Sequence, residues 1–255
     1  MNKINHYWRV IATGIAFSSF GLGALVLSML FFPCCYILPQ KKRIKMIQKS
    51  IHYAFKLFIF EMKILGIMDV KYNGLEKLSG VKGCMIVSNH PTLLDIVLLL
   101  SVIEGTDCIV KDELWQNPFL RGAVSGAGYI PNKSPEDLIH LCVDRLKEGH
   151  NIVVFPEGTR SLPDDLKPFK KGFSAITLKS NCQLLPIFIK CEPSTLTKRE
   201  KWYNVPNKKF ILSMEVNEFL DVPKITKDCK SEIIASKVLK NYLFECFKEK
   251  RASYE

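Results

Sequence analysis

The sequence predicts an α/β fold in which a mixed, largely parallel sheet is flanked by helices, with a hydrophobic helical membrane anchor at the N-terminus. Short apolar stretches alternate with longer segments whose apolar residues recur every three or four positions, and this alternation is typical of strands separated by helices. A long stretch near the N-terminus, residues 10–38, also carries no charge. Its 255 residues and 47% hydrophobic content suit one α/β domain with an additional N-terminal segment.

The N-terminal stretch from residue 10 to residue 38 has 29 residues without a charged side chain, which is long enough to cross a bilayer. It is too long for an ordinary signal peptide and lacks a small-residue cleavage site. Internal glycines and Pro33 predict either one tilted helix or a bent pair of shorter helices. The basic run 41–45 follows at once, so the positive-inside rule places the C-terminal side in the cytoplasm. A membrane span and a hairpin lying in the membrane plane both fit these residues.

The charge of the chain is concentrated in the same region. The net charge is +11, and residues 1–50 hold seven basic and no acidic side chains, which leaves 29 basic and 25 acidic ones in the other 205 residues. An excess that flanks an apolar segment favours an anionic membrane surface over nucleic acid as the partner. The nine cysteines show no Cys-x-x-Cys pairing and no metal-type spacing with histidine. We therefore expect reduced thiols and no metal site.

The remaining elements follow in chain order. An amphipathic helix is predicted for residues 44–66, so residues 1–66 are expected to anchor the chain and residues 67–255 to form the α/β domain. Strands are predicted at 70–74, 84–87, 108–110, 126–132, 151–155, 184–190 and 210–216. Helices are predicted at 93–100, 119–124, 135–148, 173–179 and 233–247.

A histidine and a carboxylate lie five residues apart where the strand 84–87 gives way to a helix. Pro91 disfavours helical backbone at His90, so the chain can turn His90 and Asp95 toward each other. A carboxylate on one imidazole nitrogen fixes the tautomer and leaves the other nitrogen free to take a proton. Asp95 also fits a capping box with Thr92, and these residues by themselves leave both roles open.

A second polar turn follows the strand 151–155. Gly158 permits close approach of a ligand to the backbone, and the Arg160 guanidinium has the geometry to grip a phosphate; a plain turn in which Glu157 and Arg160 pair is the alternative. Lys111, at the end of another strand, is a second candidate phosphate contact. Because sites in α/β sheets lie beyond the carboxyl ends of the strands, we expect these stretches to converge.

The lysines of the following loop are a weaker signal. Lys167, Lys170 and Lys171 could contact an anionic donor or headgroup, or they could form a solvated basic loop.

Three motifs occur together in this chain: Asn89-His90-Pro91 with Asp95, Phe-Pro-Glu-Gly-Thr-Arg-Ser at 155–161, and Leu-Pro-Ile at 185–187. In this order they resemble the 1-acylglycerol-3-phosphate acyltransferase family of lysophospholipid acyltransferases, over roughly residues 70–220. The histidine–aspartate box is weakly specific alone, but its combination with the second motif is highly specific.

The resemblance implies transfer of a fatty acyl group from an acyl carrier protein or coenzyme A thioester to the hydroxyl of a lysophospholipid such as 1-acylglycerol-3-phosphate, in phospholipid biosynthesis. The partners implied are the lipid acceptor, the thioester donor and the bilayer, with no cofactor beyond the donor and no metal. The acyltransferase domain is then expected on the cytoplasmic side of the inner (cytoplasmic) membrane.

The resemblance also assigns roles to single residues. His90 would be the general base and Asp95 would orient it, while Pro186 belongs to a block associated with the acyl donor. The residues expected to bind the acceptor are Lys111, Glu157, Gly158, Thr159 and Arg160.

One departure from the family pattern concerns the acceptor. Many members carry an arginine where this chain has Asn132 and Lys133, so another lysolipid or a specialised lipid is an alternative acceptor. An esterase or thioesterase is a less favoured reading, because the chain has no Gly-x-Ser-x-Gly nucleophile motif. A non-catalytic lipid-binding membrane protein would have no use for the histidine, aspartate, glutamate and arginine set.

Overall fold

The computed structural model describes residues 3–111, 115–116, 118–132, 134–161 and 166–253. Within them seven strands form one sheet in the order β1-β7-β6-β2-β5-β3-β4. The strands are β1 Met68–Asn73, β2 Cys84–Ser88, β3 Thr106–Lys111, β4 Ile130–Asn132, β5 Asn151–Val154, β6 Gln183–Glu192 and β7 Phe210–Val216. Only the β6–β7 pair among them is antiparallel, so the predicted mixed, largely parallel sheet is confirmed.

The helices lie between and before these strands. They are α1 Lys3–Val26, α2 Phe32–Cys35, α3 Gln40–Ile64, α4 Asp95–Val102, α5 Pro118–Gly126, α6 Pro135–Lys147, α7 Gly172–Ser180, α8 Val222–Ile225 and α9 Glu232–Ala252. A π-helical turn, Leu27–Phe31, joins α1 to α2, and a 3-10 turn, Leu75–Leu78, follows β1. The π-turn, the 3-10 turn and α8 are too short to show a periodic pattern in the sequence, and sequence reasoning missed all three.

Alternate residues of each central strand enter two separate cores. Ile86 and Leu185 belong to a core that α1, α3 and α4 cover. Met85 and Leu184 belong to the core on the other side, under α6, α7 and α9. Both faces of the sheet are therefore buried, which explains why β2 and β6 are continuous apolar runs rather than alternating ones.

The N-terminal apolar stretch is helical from Asn5 to Cys35 and is long and apolar enough to cross a membrane, judged by length and composition alone. Most of its surface is exposed. A narrow strip that includes Ala12 and Ala16 is buried against α3, where the Phe20 and Phe58 rings lie 4.6 Å apart. This strip shares a core with the sheet. The division into an anchoring segment, residues 1–66, and an acyltransferase domain, residues 67–255, therefore stays a prediction.

The helix predicted from Leu93 begins two residues later, at Asp95. The first residues after Pro91 form a turn instead, because Thr92 donates two hydrogen bonds to the Asp95 carboxylate there. This turn brings Asp95 back toward His90.

Candidate active site

The sheet order brings two of the suspected stretches to one edge. Strand β2 lies between β5 and β6 and is parallel to both, with Val87 paired to Val154 and to Pro186. The segments that follow β2 and β5 therefore leave the sheet side by side. His90 and Asp95 lie on the first segment, and Glu157 to Arg160 lie on the second.

His90 and Asp95 form a hydrogen-bonded pair at this edge. Nδ1 of His90 is 2.7 Å from Oδ2 of Asp95, whose side chain is fully buried, whereas the His90 side chain is 19% exposed. The imidazole stacks on the Phe155 ring, with 4.1 Å between centroids and 19° between planes. Asp95 on Nδ1 and Phe155 against the ring face leave Nε2 as the nitrogen for proton transfer.

Asp95 also caps the turn that precedes α4. Its Oδ2 accepts a hydrogen bond from Thr92 N at 2.8 Å, and its Oδ1 accepts one from Thr92 Oγ1 at 3.2 Å. Burial raises the pKa of the Asp95 carboxyl, and the bonds from His90 and Thr92 oppose that rise. The capping geometry and the histidine contact thus coexist in one side chain.

Glu157 lies beneath the backbone of His90. Its Oε1 accepts from His90 N at 3.2 Å and from Ser161 Oγ at 2.7 Å, and Ser161 N donates to His90 O at 2.7 Å. Only 4% of Glu157 is exposed. These bonds join the two loops, so Glu157 fixes the position of the His90 main chain.

Arg160 turns away from Glu157. Its Nη1 donates to Leu196 O at 2.9 Å and to Thr197 O at 3.0 Å, and Leu196 O also accepts from Leu93 N. The alternative in which Glu157 and Arg160 pair is therefore wrong, because each side chain has other partners. A guanidinium carries five N–H donors, and these two bonds use Nη1.

Gly158 has a φ of +69°, in the left-handed region that favours glycine. A Cβ atom built there would lie 2.8 Å from Nζ of Lys170, and Lys170 N donates to Pro156 O. Of the loop lysines, Lys170 is thus the one whose ammonium lies over the turn. Thr159, next to Gly158, is partly exposed.

Lys111 is more remote from the histidine. It ends β3, which is separated from β2 by β5, and its side chain is exposed. Asn132 ends β4 and pairs with Lys111 in register, and Lys133 lies outside the described residues. Lys111 and Asn132 therefore share the carboxyl edge of the sheet with His90, but the structure describes no contact between them and the histidine.

Sequence reasoning missed the role of Asn89. Its side-chain Nδ2 donates to Ile189 O and its Oδ1 accepts from Ile189 N, both at 2.7 Å. This pair of bonds continues the β2–β6 ladder beyond Ser88 and fixes where the chain turns toward His90. The position of Asn89 directly before His90 in the first motif was the available signal.

One thiol lies close to the His90–Asp95 pair. Cys191 lies on β6 near Asp95, and burial raises the pKa of its thiol to about 12, which leaves it protonated and unreactive at neutral pH. Among the described residues no group of three His, Cys, Asp or Glu side chains is arranged to hold a metal ion.

Comparison with known proteins gives the same domain. Residues 69–190, which contain every candidate site residue, match the family model named Acyltransferase. Over these residues the chain is similar to the acyltransferase family. The resemblance predicted from the motifs is confirmed.

Curated relatives show the same similarity. A chloroplastic 1-acyl-sn-glycerol-3-phosphate acyltransferase of Brassica napus is 33% identical over 176 residues, which are 66% of this chain and 49% of the relative. A Helicobacter pylori 1-acyl-sn-glycerol-3-phosphate acyltransferase is 33% identical over 112 residues, which are 41% of this chain and 47% of the relative. The chain thus spans about half the length of these curated relatives.

One solved structure with a similar fold is the 1-acyl-sn-glycerophosphate acyltransferase PlsC of Thermotoga maritima. It matches with a TM-score of 0.70 and 22% identity over 99% of this chain and 98% of the other. This similarity shows a shared fold.

The buried position of Glu157 predicts a pH-dependent stability difference. Glu157→Gln keeps Oε1 as an acceptor but cannot ionise. Since burial raises the pKa of Glu157 in the folded protein, ionisation of Glu157 costs folded-state stability as the pH rises through that pKa. The Tm of the variant is therefore expected to increase relative to the parent between about pH 4 and about pH 8, as measured by thermal denaturation.

A glutamate whose pKa is shifted in the opposite direction is the matched control. Lys190, 2.6 Å away, lowers the pKa of Glu192, so its ionised form favours the folded state. Glu192→Gln is expected to be slightly less stable than the parent, by an amount that stays nearly constant over the same pH range, because a lowered pKa confines the titration of Glu192 to more acidic pH. The difference is small because Glu192 is exposed. A Glu157→Gln difference that stays constant with pH would contradict the assignment.

Proposed function

We propose that this chain transfers a fatty acyl group from an acyl carrier protein or coenzyme A thioester to the hydroxyl of a lysophospholipid such as 1-acylglycerol-3-phosphate. The observation that carries the proposal is the His90–Asp95 pair, 2.7 Å apart, at the edge of the sheet within the matched domain. The names of the relatives support the same substrate class.

His90 is the general base in this proposal. Its Nε2 takes the proton of the acceptor hydroxyl while the hydroxyl oxygen bonds to the thioester carbonyl carbon. Collapse of the tetrahedral adduct breaks the carbon–sulfur bond, and the imidazolium returns the proton to the departing sulfur. The products are an ester and a free thiol, so the reaction requires neither an enzyme-bound acyl group nor a cofactor beyond the donor.

Asp95, Phe155 and Glu157 position this base. Asp95 holds Nδ1 and stabilises the imidazolium that forms, as the aspartate of a catalytic triad does. Phe155 restricts the ring plane and Glu157 fixes the main chain of His90. The three contacts reduce the reorganisation needed when the hydroxyl arrives.

The acceptor phosphate is assigned to the basic residues around this base. We place it near Arg160, with Gly158 and Thr159 allowing close approach and Lys111 as a further contact. Lys170 joins this group because its ammonium lies over Gly158. Glu157 was expected to bind the acceptor directly, and its burial favours an indirect contribution through the turn that carries Gly158 and Arg160.

The apolar N-terminal helix supplies the route to a lipid acceptor. Side chains such as Leu22, Met29 and Leu30 are more than 60% exposed, and a surface of this kind is typical of contact with a membrane or another protein. We assign it to the cytoplasmic face of the inner (cytoplasmic) membrane, because the basic run 41–45 follows the helix.

A donor-by-acceptor assay on the purified protein tests the proposed function. Acyl carrier protein and coenzyme A thioesters are each combined with lysophosphatidic acid, other lysophospholipids and monoacylglycerol, and ester formation is measured alongside thiol release. Ester formation with a lysophospholipid supports the proposal. Thiol release without ester formation would indicate a thioesterase and overturn it.

Arg160→Ala is expected to weaken binding of a phosphorylated acceptor. Loss of a charge-assisted contact raises the KM for lysophosphatidic acid by about 10- to 100-fold, with a smaller change in kcat. The KM for monoacylglycerol, which lacks the phosphate, is expected to stay nearly constant. Initial-rate kinetics with both acceptors measure the difference.

Arg160→Lys is the control for this prediction. It keeps the charge without the forked geometry and is expected to give an intermediate KM. If Arg160→Ala lowers Tm and leaves both KM values unchanged, Arg160 acts only on the carbonyls of Leu196 and Thr197.

A further inference from the structure

The connection between β6 and β7, residues 193–209, carries an exposed basic and aromatic tip. We refer to it as the β6–β7 loop. Residues 198–204 are all exposed, and Trp202 and Tyr203 expose 48% and 45% of their surface. Packing within the fold does not account for two neighbouring aromatic side chains that are this exposed to solvent. The basic residues of the tip are Lys198, Arg199 and Lys201.

The β6–β7 loop is fastened to the apolar helix α1. Arg9, which is 8% exposed, donates from Nε to Pro206 O at 3.2 Å and from Nη2 to Asn207 O. A Cβ atom built on Gly14 would lie 3.5 Å from the Trp202 ring. Trp202 is therefore packed along the flank of α1.

Trp202 continues the exposed surface of that helix. Ile11 and Ile15 are 58% and 47% exposed. Ile11 lies three residues before Gly14 and four before Ile15, so it neighbours both on the helix surface. The indole thus extends the apolar surface of α1 onto the β6–β7 loop. Lys201 lies 5.5 Å above the Tyr203 ring, so positive charge borders this apolar extension.

The base of the same loop belongs to the candidate active site. Thr195, Leu196 and Thr197 are at most 5% exposed, and the carbonyls of Leu196 and Thr197 accept the bonds from Arg160. Leu196 has a φ of +55°, in a region that an L-residue adopts only when its surroundings hold it there. The acidic residue of the tip is Glu200, and its Oε2 accepts a hydrogen bond from Thr197 N at 3.0 Å.

From this arrangement we propose that the β6–β7 loop is a second membrane-contact element, in which Trp202 and Tyr203 enter the interfacial layer and Lys198, Arg199 and Lys201 bind anionic phospholipid headgroups. The proposal rests on the proposed membrane contact of α1. Tryptophan and tyrosine favour the boundary between headgroups and acyl chains, and basic residues near an anionic surface strengthen binding. A lipid surface is favoured over an acidic protein because the aromatic tip continues the apolar face of α1.

Fluorescence of Trp202 tests the insertion directly. The double variant Trp8→Phe with Trp115→Phe leaves Trp202 as the sole tryptophan, and the variant with Trp115→Phe and Trp202→Phe leaves Trp8 on α1 as the matched control. Each protein is mixed with vesicles of phosphatidylcholine and phosphatidylglycerol in equal parts. Emission, quenching by brominated acyl chains and protection from acrylamide are recorded.

The expected result is a blue shift of Trp202 emission, quenching by the brominated lipid and lower access for acrylamide. If Trp202 emission stays unshifted and open to acrylamide while Trp8 is quenched by the lipid, α1 binds without the loop and the proposal is overturned. If neither tryptophan responds, the membrane contact of α1 fails and the proposal fails with it.

Charge removal tests the headgroup contact. Combined replacement of Lys198, Arg199 and Lys201 by glutamine is expected to lower partitioning to the anionic vesicles by about tenfold or more at low salt, and to change partitioning to pure phosphatidylcholine much less. The matched control replaces Lys224, Lys227 and Lys230 by glutamine. These exposed lysines lie at the opposite edge of the sheet, beyond the Leu184–Leu220 bridge.

Equal loss of partitioning in both triple variants would overturn the headgroup contact, because net charge alone would then explain it. Acyl transfer to a short-chain, water-soluble lysophospholipid is measured in parallel. It is expected to stay within about twofold of the parent in the loop variant. If the parent protein itself shows no acyl transfer, the proposed function fails. The vesicle results still test the membrane contact of the β6–β7 loop, because they do not depend on activity.

Discussion

Replacement of His90 by alanine is expected to abolish most acyl transfer while the protein stays folded and membrane-bound. A positioned general base contributes about 10²- to 10⁴-fold to the rate, so kcat/KM is expected to fall by that factor. The fold tolerates the change because the His90 side chain is partly exposed and its main chain is held by Glu157 and Ser161. Steady-state kinetics, thermal denaturation and vesicle sedimentation measure the three properties.

An exposed histidine on α6 provides the control. His140→Ala is expected to retain parental activity, because His140 lies on the surface outside the candidate site. Undiminished transfer by His90→Ala, with His140→Ala also active, would remove His90 from the mechanism. A loss of activity accompanied by a large fall in Tm would indicate a structural role instead.

Asp95→Asn is expected to have the next largest effect, a fall in kcat of about 10²- to 10⁴-fold with little change in KM. The amide has the shape of the carboxylate, so its oxygen can accept from Thr92 N and its nitrogen can donate to Thr92 Oγ1. What it cannot supply is the negative charge beside the imidazolium. Initial-rate kinetics and thermal denaturation separate the catalytic loss from any loss of stability.

Thr92→Val separates the capping role from the orienting role of Asp95. It removes the hydroxyl that accepts from Leu94 N at 2.8 Å and donates to Asp95, and it leaves the His90–Asp95 contact in place. A destabilisation of about 0.5–2 kcal/mol with nearly parental kcat is expected. If both variants lower Tm and neither lowers kcat, Asp95 serves only as a cap.

Local patterns in the sequence were enough to predict the elements near the site. The apolar run 84–87 became β2, and the cap signal at Ser134-Pro135 became the start of α6, where Ser134 accepts from Asp137 N. The His90–Asp95 contact was also predictable, because five residues around a proline leave few conformations. Each of these features has a signal in residues that lie close together in the chain.

The partners of Asn89 and Arg160 could not be read from the sequence. Asn89 bonds to Ile189, one hundred residues away, and Arg160 bonds to carbonyls 36 and 37 residues away. A backbone carbonyl has no sequence signature, so no pattern marks Leu196 or Thr197 as acceptors. The alternative in which Glu157 pairs with Arg160 is wrong for this reason.

The sequence by itself determined the chemistry available to this protein: a histidine and an aspartate at a strand–helix break, a Glu-Gly-Thr-Arg turn after another strand, and the uncharged stretch 10–38 near the N-terminus. Tertiary structure alone decided how these parts meet. The order β6-β2-β5 places the two turns side by side. Leu196, whose backbone is in the left-handed region, accepts a hydrogen bond from Arg160 through its carbonyl. The Trp202 ring packs against α1 at Gly14. Sheet order and loop position depend on how side chains from distant parts of the chain pack together in the two cores. No local sequence pattern predicts that packing.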